Sequence, residues 1–217
     1  MKMVLFLFIL SLSAFANEGK SRVEAAIQDL LATTHKEIVD DASMNFKMSL
    51  FEIKSDEYFF ISNISWKRAL LGTSHYRIGY NPLVFKNHIT DLALKGVLAH
   101  ELMHTNDYVH GSTLGTIIPI GIKVSMSKSR VQYERKTDLK VVLKGLGPEL
   151  IAYREWQYPL LSTEALKTKR KEYLTPEEIV FIMEIQNEFP ELLQKWLKRK
   201  IPLNLIEMKK QVEALNV

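Results

Sequence analysis

Cysteine is absent from this chain of 217 residues. Without a thiol the chain can form no disulfide framework, no cysteine-ligated zinc finger, no iron–sulfur cluster and no cysteine nucleophile. Glycine and proline are also scarce, at 9 and 7 residues, which excludes low-complexity and collagen-like chains. Neither sign of charge dominates, because 29 Lys and Arg stand against 25 Asp and Glu, for a net charge of +4. This mild excess gives no reason to expect a nucleic-acid partner.

Long apolar runs are missing too, apart from a short one near the N-terminus. Residues 3–13 are almost entirely apolar, but crossing a bilayer takes about 20 residues. Lys2 precedes this run and Ala14-Phe15-Ala16 follows it, which is the pattern of a secretory signal peptide. We therefore expect a signal peptide over 1–16, cleavage before Asn17, an exported periplasmic or extracellular protein, and no stable transmembrane insertion.

The overall composition is that of a folded domain, with 47% hydrophobic and 25% charged residues. Alternation of apolar and polar residues predicts a strand over 45–53, and aromatic and β-branched residues predict a second over 57–64. A third strand is predicted over 76–80, where Asn81-Pro82 ends it. Helical spacing predicts helices over the segments 22–40, 91–108, 129–146, 149–157, 175–188, 190–199 and 203–215. We therefore predict an α+β fold with a small antiparallel sheet, in one domain over 17–217 whose part from about 149 to 217 is a helical extension.

The motif that carries chemistry is H-E-x-x-H at residues 100–104, on the predicted helix 91–108. His100 and His104 are four residues apart, so they lie on one helix face and can bind a single zinc ion from the same side. Glu101 then lies beside the metal, where it can take a proton from a water molecule and deliver it to a leaving amine. The alternative is a pair of histidines that are satisfied within a core helix and bind no metal.

A zinc hydrolase site needs a third protein ligand and one open position. Glu134 is the first candidate for that ligand, and Asp138 follows it by one helical turn. Both share a partly apolar face with Val131 and Val141, which predicts that they point inward. An inward Glu can bind the metal while the Asp accepts a hydrogen bond from a ligand histidine and fixes its tautomer. The alternative is a solvated acidic pair balanced by the neighbouring basic residues Arg130, Arg135 and Lys136.

His110 is the second candidate for the third ligand. Residues 100–110 read H-E-x-x-H-x-x-D-x-x-H, which resembles the metzincin pattern, and Met126 could supply a methionine turn. Metzincins have glycine where this chain has Asp107. That glycine lets the helix end turn sharply, and aspartate adopts such a backbone less readily. A metzincin-type peptidase is therefore the second interpretation of the motif.

The segment ALKGVLAHELMH, followed by YERKTDLKVVLKGLG, resembles the gluzincin arrangement over about residues 74–147. It is most similar to HtpX-like and CAAX-protease-like zinc peptidases and to the compact minigluzincins, in which a helix with E-x-x-A-D follows H-E-x-x-H. The resemblance implies a zincin-like fold and one zinc ion bound by His100, His104 and Glu134, with Asp138 supporting a ligand histidine. Thr137 stands where these families prefer alanine. The membrane-spanning helices of the larger relatives are missing, so no membrane substrate is implied.

The resemblance also bears on how a substrate is held. In zinc peptidases an edge strand before the active-site helix often pairs with the substrate backbone, and here that strand would be 74–80. Tyr153 and Arg154, shortly after the predicted glutamate helix, are candidates for stabilising an oxyanion, although such residues commonly serve packing or the surface. The predicted function is a zinc endopeptidase acting on peptides or proteins. A non-catalytic zinc-binding or interaction protein on the same scaffold is the alternative from another class.

Three further segments invite a functional interpretation. The apolar connection 114–122 either packs on the core or forms a lid over the zinc cleft. The basic runs 167–171 and 195–200 are typical of the solvated face of a helix. They can instead contact an acidic envelope polymer or an anionic lipid surface.

Overall fold

The computed structural model describes residues 18–41, 47–55, 59–64, 75–110 and 127–215. The signal peptide predicted over 1–16, the proposed methionine turn at Met126 and the apolar segment 114–122 lie outside these residues, and what was inferred from them stays a prediction. Within the described ranges no helix combines the length and the hydropathy needed to cross a bilayer.

The N-terminal helical segment is divided in two by a turn. Helix α1 includes residues 18–32 and the short helix α2 runs over Glu37–Asp40, whereas the sequence predicts one helix over 22–40. At the break the hydroxyl of Thr33 donates to the carbonyl of Asp29 at 2.7 Å. A threonine hydroxyl that bonds to the backbone competes with the regular helical pattern, which helps to explain the interruption.

The described sheet has three strands: β1 (Lys47–Glu52), β2 (Phe60–Ile64) and β3 (His75–Tyr80). Their order in space is β1-β3-β2, with β3 parallel to β1 and antiparallel to β2. The three predicted strands are confirmed, but the prediction of an antiparallel sheet is wrong for the pair β1–β3. Parallel neighbours need a crossover connection, and here β2 itself forms part of it.

Helix α4, Asp91–His110, runs through the centre of the domain after the short helix α3, Leu83–Lys86. It confirms the helix predicted over 91–108. The amide of Ala93 donates to the hydroxyl of Thr90 at 3.2 Å, which is the hydrogen bond of a helix N-cap. The side chains of α4 are buried along most of its length because β2 packs on one side and another helix on the other.

That other helix is α6, Gly147–Gln157. The two helices approach most closely at Gly96, where a Cβ atom would lie 2.1 Å from the carbonyl oxygen of Glu149. Only glycine fits this crossing, which places the start of α6 against the N-terminal half of α4. The start of the predicted helical extension therefore forms part of the core beside the H-E-x-x-H motif.

Strand β3 lies at the centre of the sheet, so the prediction that 74–80 is an edge strand is wrong. Ile78 and Tyr80 are buried. At Gly79, on the opposite face, a Cβ atom would lie 2.7 Å from the ring of Phe51, so that face is covered as well. The backbone of β3 pairs with β1 on one side and with β2 on the other, so neither of its sides is open to a further strand. In the sheet that the structure describes, the edge strand that packs on α4 is β2.

Helix α5, Ser127–Val141, follows α4 and continues into a π-helical turn over Val142–Leu146. Gly145 interrupts the helical backbone there with φ of +81°. The sequence predicts a helix over 129–146 that ends at this glycine, and the structure confirms it. Glycine takes a positive φ without strain, so the chain can change direction and enter α6 directly.

The remaining chain is almost entirely helical. After a short 3₁₀ turn it forms the helices α7 (Thr163–Glu172), α8 (Pro176–Ile185), α9 (Pro190–Lys198) and α10 (Leu205–Glu213). Helices α8, α9 and α10 confirm the predicted ones, whereas α7 was not predicted. The architecture is mainly helical with a small sheet, which agrees with the predicted α+β class.

Candidate metal centre

Three side-chain atoms from two helices converge beside α4. Nε2 of His100 lies 3.1 Å from Nε2 of His104 and 3.2 Å from Oε2 of Glu134, and the remaining pair is 3.4 Å apart. Four ligand atoms placed tetrahedrally at about 2.0–2.1 Å from a zinc ion lie about 3.3 Å from one another. The three atoms therefore have the spacing of three corners of such a tetrahedron, and these residues can hold a metal ion.

The two helices position these ligands by their register and crossing. His100 and His104 are one turn apart on α4, and their rings meet edge to face with centroids 4.8 Å apart. Helix α5 packs against α4 and brings Glu134 to the same point. All three residues are buried, at 9% exposure or less. The ligand set that the resemblance implies is thus brought together in space.

Asp138 forms a hydrogen bond with His100 on the side of the ring that faces away from the centre. Its Oδ1 lies 2.7 Å from Nδ1 of His100, and its Oδ2 accepts the amide of Leu174 at 2.8 Å. Burial would raise the pKa of this carboxyl, but Arg154 and His100 hold the pKa below its ordinary value. An ionised carboxylate only accepts hydrogen bonds, so Nδ1 of His100 carries a proton. In the neutral imidazole, the form that binds a metal, the lone pair then lies on Nε2, which faces the centre.

The ring of His104 has a different partner. Its Nδ1 lies 3.0 Å from the hydroxyl oxygen of Tyr133, and the two rings stack with centroids 5.1 Å apart and 25° between their planes. Tyr133 lies on α5 directly before Glu134. Both histidines therefore use Nδ1 for a contact away from the centre and direct Nε2 toward it.

The surroundings of the centre favour a positive charge. Burial would lower the pKa of His100, but the carboxylates of Asp138 and Glu134 raise that pKa to about 10. Burial would raise the pKa of Glu134, but the two histidines bring it well below its ordinary value. An environment that stabilises a proton between these side chains also stabilises a divalent cation in the same place.

A cavity of about 760 Å³ adjoins the centre. Its floor carries the two histidines, Glu134 and Glu101. One wall is formed by Phe60, Ile61 and Ser62 of β2, and the other by residues between 160 and 173, including α7. Burial raises the pKa of Glu101, although the two histidines act against this rise. A carboxylate with a raised pKa is a better proton acceptor, which suits a general base.

Tyr153 and Arg154, the residues predicted to stabilise an oxyanion, lie on the side of the centre away from the large cavity. Arg154 donates from Nη2 to both carboxylate oxygens of Asp138 at 3.0 Å each, and its guanidinium lies 4.5 Å from the ring centroid of Tyr173. The hydroxyl of Tyr153 accepts a hydrogen bond from Gln157 at 2.9 Å. Both residues line a small cavity of about 40 Å³ next to Glu101, and neither is among the described residues that line the large one. Their contacts support Asp138 and the packing of α6.

His110 takes no part in the three-residue centre. Its ring nitrogens lie 2.9 Å from the carbonyl oxygen of Asn106 and 2.9 Å from Oδ2 of Asp41. Helix α4 continues regularly through Asp107 to His110, whereas a metzincin-type site needs a sharp turn there. Among the described residues the group that can hold a metal consists of His100, His104 and Glu134.

Sequence reasoning missed the wall of the cavity formed by α7. Lys169 was assigned to a solvated basic run, but it lines both cavities with Nζ 4.9 Å from the ring centroid of Tyr173. Burial and the nearby Arg154 lower the pKa of Lys169. A signal for the helix was present, because Ser162 caps it by accepting the amide of Ala165 at 3.3 Å.

The run 167–171 therefore has two sides. Lys169 faces the cavity, whereas Lys167 and Lys171 are exposed, in agreement with a solvated helix face. In the second run, 195–200, exposed lysines and arginine surround the buried Trp196. Contact of either run with an anionic surface stays a prediction.

Comparison of the chain with protein-family models, with curated proteins and with solved structures gives no match. The gluzincin resemblance therefore stays a prediction from the motifs, and the case for a function depends on the geometry of the site.

Proposed function

We propose that this protein is a zinc-dependent endopeptidase. The observation that carries the proposal is the convergence of two imidazole nitrogens and one carboxylate oxygen at 3.1–3.4 Å, next to Glu101 and at the floor of a large cavity. Two histidines and a glutamate are a known ligand set for catalytic zinc, which leaves one coordination position open. Softer metals prefer sulfur ligands, which this site does not offer.

Zinc bound by these ligands would supply Lewis acidity toward a peptide carbonyl and acidify a water molecule. Glu101 would act as the general base: its carboxylate takes a proton from the attacking water while the water oxygen bonds to the carbonyl carbon. The same carboxyl then delivers the proton to the amide nitrogen as the C–N bond breaks, which yields a carboxylate and an amine. The position of Glu101, next in sequence to His100 and lining the same cavity, supports this role.

Lys169 and Tyr173 would stabilise the negative charge that develops on the carbonyl oxygen. Both line the cavity on the wall opposite β2, and Lys169 also lies close enough to Glu101 to affect its pKa. Preorganised donors directed at a developing oxyanion are a large contribution to catalysis. These two residues replace Tyr153 and Arg154 in our assignment, since the latter pair lies behind the ligands.

An extended substrate would lie between β2 and α7. Strand β2 is the edge of the described sheet and contributes Phe60, Ile61 and Ser62 to the cavity wall. Pairing of a peptide with a sheet edge supplies main-chain hydrogen bonds without sequence preference. We therefore assign the pairing with a substrate backbone to β2 in place of 74–80.

The test combines metal content with peptide cleavage on the purified chain. We expect about one zinc per chain in wild type and in Glu101→Gln, and loss of zinc in Glu134→Ala. Glu101→Gln should lower the rate of cleavage of a mixed peptide library by at least about a hundredfold at unchanged zinc content. His110→Ala is the matched control, and it should retain both zinc and activity.

Two results would overturn the proposal. A wild-type chain that takes up no zinc after incubation with the metal has no zinc centre. A zinc-loaded chain whose cleavage rate is unaffected by Glu101→Gln owes any observed cleavage to a contaminant, which would favour a non-catalytic role on the same scaffold.

A further inference from the structure

The main chain immediately after α7 is held by two buried side chains of α5. Nη1 of Arg135 donates to the carbonyl oxygen of Tyr173 at 2.9 Å. The next amide, that of Leu174, donates to Oδ2 of Asp138 at 2.8 Å. These carbonyl and amide groups belong to one peptide unit, and both Arg135 and Asp138 are fully buried. The peptide unit between Tyr173 and Leu174 is therefore fixed from both of its sides by the helix that carries Glu134.

The side chain of Tyr173 depends on this peptide unit for its direction. Helix α7 ends at Glu172, and Tyr173 follows it with an extended backbone, at φ of −117° and ψ of 165°. The helix holds only the amide of Tyr173, which donates to the carbonyl of Lys169 at 3.0 Å. The carbonyl of Tyr173 is held by Arg135. The two bonds together fix the Cα atom, and the ring then lies in the cavity wall with its centroid 5.7 Å from that of His100.

Arg135 is itself fixed by two further hydrogen bonds. Nη2 donates to Oε1 of Glu178 at 2.9 Å, and Nε donates to the carbonyl of Pro202 at 3.1 Å. The first of these is a charge-assisted bond between buried groups, since Glu178 is 3% exposed. Because three donors of the planar guanidinium are engaged by three separate segments, the group has little freedom to turn. Nη1 is therefore presented to Tyr173 in a fixed position.

We infer that Arg135 is a positioning residue for the proposed active site, which holds Tyr173 in the cavity wall by binding its main-chain carbonyl. The inference deepens the proposed function and rests on it, because Tyr173 is assigned there to the developing oxyanion. Arg135 is not among the described residues that line either cavity, so it acts on the site through Tyr173. A donor that is fixed before the substrate binds stabilises a developing charge without the cost of reorganisation.

The test separates the loss of this hydrogen bond from a loss of stability. Arg135→Met alone would leave the carboxylate of Glu178 buried without a cation. We therefore combine it with Glu178→Met, because apolar residues can replace a buried ion pair at little cost in stability. In this double variant of the full chain, kcat for peptide cleavage should fall by about 10- to 100-fold, whereas KM and zinc content should keep their wild-type values.

Glu178→Gln is the matched control. It removes one charge of the buried pair and should lower the midpoint of urea denaturation. The bond from Arg135 to the carbonyl of Tyr173 stays in place, so kcat should keep its wild-type value.

Tyr173→Phe tests whether Arg135 acts through Tyr173. This change should lower kcat by itself, because it removes the hydroxyl that donates to the oxyanion. Added to the double variant, it should lower kcat no further, since Arg135 affects catalysis only by placing that hydroxyl.

A further measurement does not depend on catalysis. Hydrogen exchange of the Leu174 amide, followed by NMR in the full chain, reports how firmly the peptide unit is held. Asp138, which accepts this amide, is unchanged in the double variant. Loss of the bond from Arg135 to the adjoining carbonyl should speed the exchange by about tenfold, whereas Glu178→Gln should leave its rate unchanged.

The results distinguish this inference from the proposed function. Wild-type kcat in the double variant, an equal loss of kcat in Glu178→Gln, or full additivity with Tyr173→Phe would overturn the inference and leave the peptidase proposal standing. If the wild-type chain binds zinc but cleaves no peptide, the proposed function fails and the exchange of the Leu174 amide decides. Faster exchange in the double variant would then support the placement of Tyr173 by Arg135, and equal exchange would overturn it.

Discussion

The guanidinium of Arg154 donates to both carboxylate oxygens of Asp138 at 3.0 Å, within the core and directly behind His100. The pair connects α6 to α5, and through His100 it connects both to α4. The buried carboxylate that orients His100 is therefore balanced by a buried cation. Removal of either partner leaves an uncompensated charge in a region without solvent.

Arg154→Met tests whether this arginine supports Asp138 or contacts substrate. Because Asp138 would lose its cation, we expect the free energy of unfolding to fall by about 3–5 kcal/mol, as measured by urea denaturation. Zinc affinity should fall as well, since His100 is less firmly held. An unchanged stability and zinc affinity combined with lost peptide cleavage would instead place Arg154 at the substrate.

Lys169→Met tests the assignment of the oxyanion partner. We expect kcat for peptide cleavage to fall by about a hundredfold, because a donor to the developing negative charge is lost, while zinc content stays at the wild-type value. Lys167→Met is the matched control on the exposed side of α7 and should leave kcat unchanged. Equal effects of the two changes would show that Lys169 acts only through the charge of the helix surface.

Gly96→Ala tests the crossing of α4 and α6. The new Cβ would lie 2.1 Å from the carbonyl oxygen of Glu149, a backbone atom that cannot move alone. We expect a loss of about 3 kcal/mol or more in the free energy of unfolding, at the upper end of the range for overpacked sites. Gly145→Ala is the comparison, because it meets no atom within 4 Å and should cost about 1–2 kcal/mol through backbone strain alone. A reversed order of the two would contradict this packing.

His35 should make stability depend on pH between about 6.5 and 4. Burial, reinforced by Lys144, lowers the pKa of this fully buried histidine to about 4. The unfolded chain therefore takes up a proton at a pH where the folded chain does not. This contribution to the free energy of unfolding is present above pH 6.5, and about 3 kcal/mol of it is lost as the pH falls to 4.

His35→Gln provides the measurement, because it removes this titration. The difference in unfolding free energy between wild type and His35→Gln, from urea denaturation at several pH values, should shrink or change sign as the pH falls. A difference that stays constant from pH 7 to pH 4 would show that His35 titrates alike in the folded and unfolded chains.

The sequence alone was sufficient for the residues whose chemistry depends on local spacing. His100 and His104 follow from helical periodicity, and Glu134 and Asp138 from the inward face of the next predicted helix. These predictions succeeded because each depends on the register within one helix. The resemblance to gluzincins then correctly predicts that the helix with Glu134 packs against the helix with His100 and His104.

The parts that could not be predicted depend on contacts between distant segments. Pairing of β1 with β3 needs a crossover that no alternation pattern encodes. For this reason 74–80 was predicted to be the edge strand, whereas in the structure β2 is the edge strand that packs on α4. The cavity wall formed by α7 was missed because the basic run 167–171 is typical of a solvated helix face, although one residue in it, Lys169, lines the cavity. Tyr133 was missed because a tyrosine beside a ligand carries no motif of its own.

The amide of Leu174 donates to Oδ2 of Asp138 at 2.8 Å, immediately after α7 and Tyr173. One carboxylate therefore holds the ring of His100 with one oxygen and the far end of the cavity wall with the other. A movement of Leu174 would therefore be transmitted through Asp138 to the ring of His100. In the proposed peptidase, a ligand that displaces Leu174 would therefore also shift Asp138 and the ring of His100, and would weaken the binding of the metal.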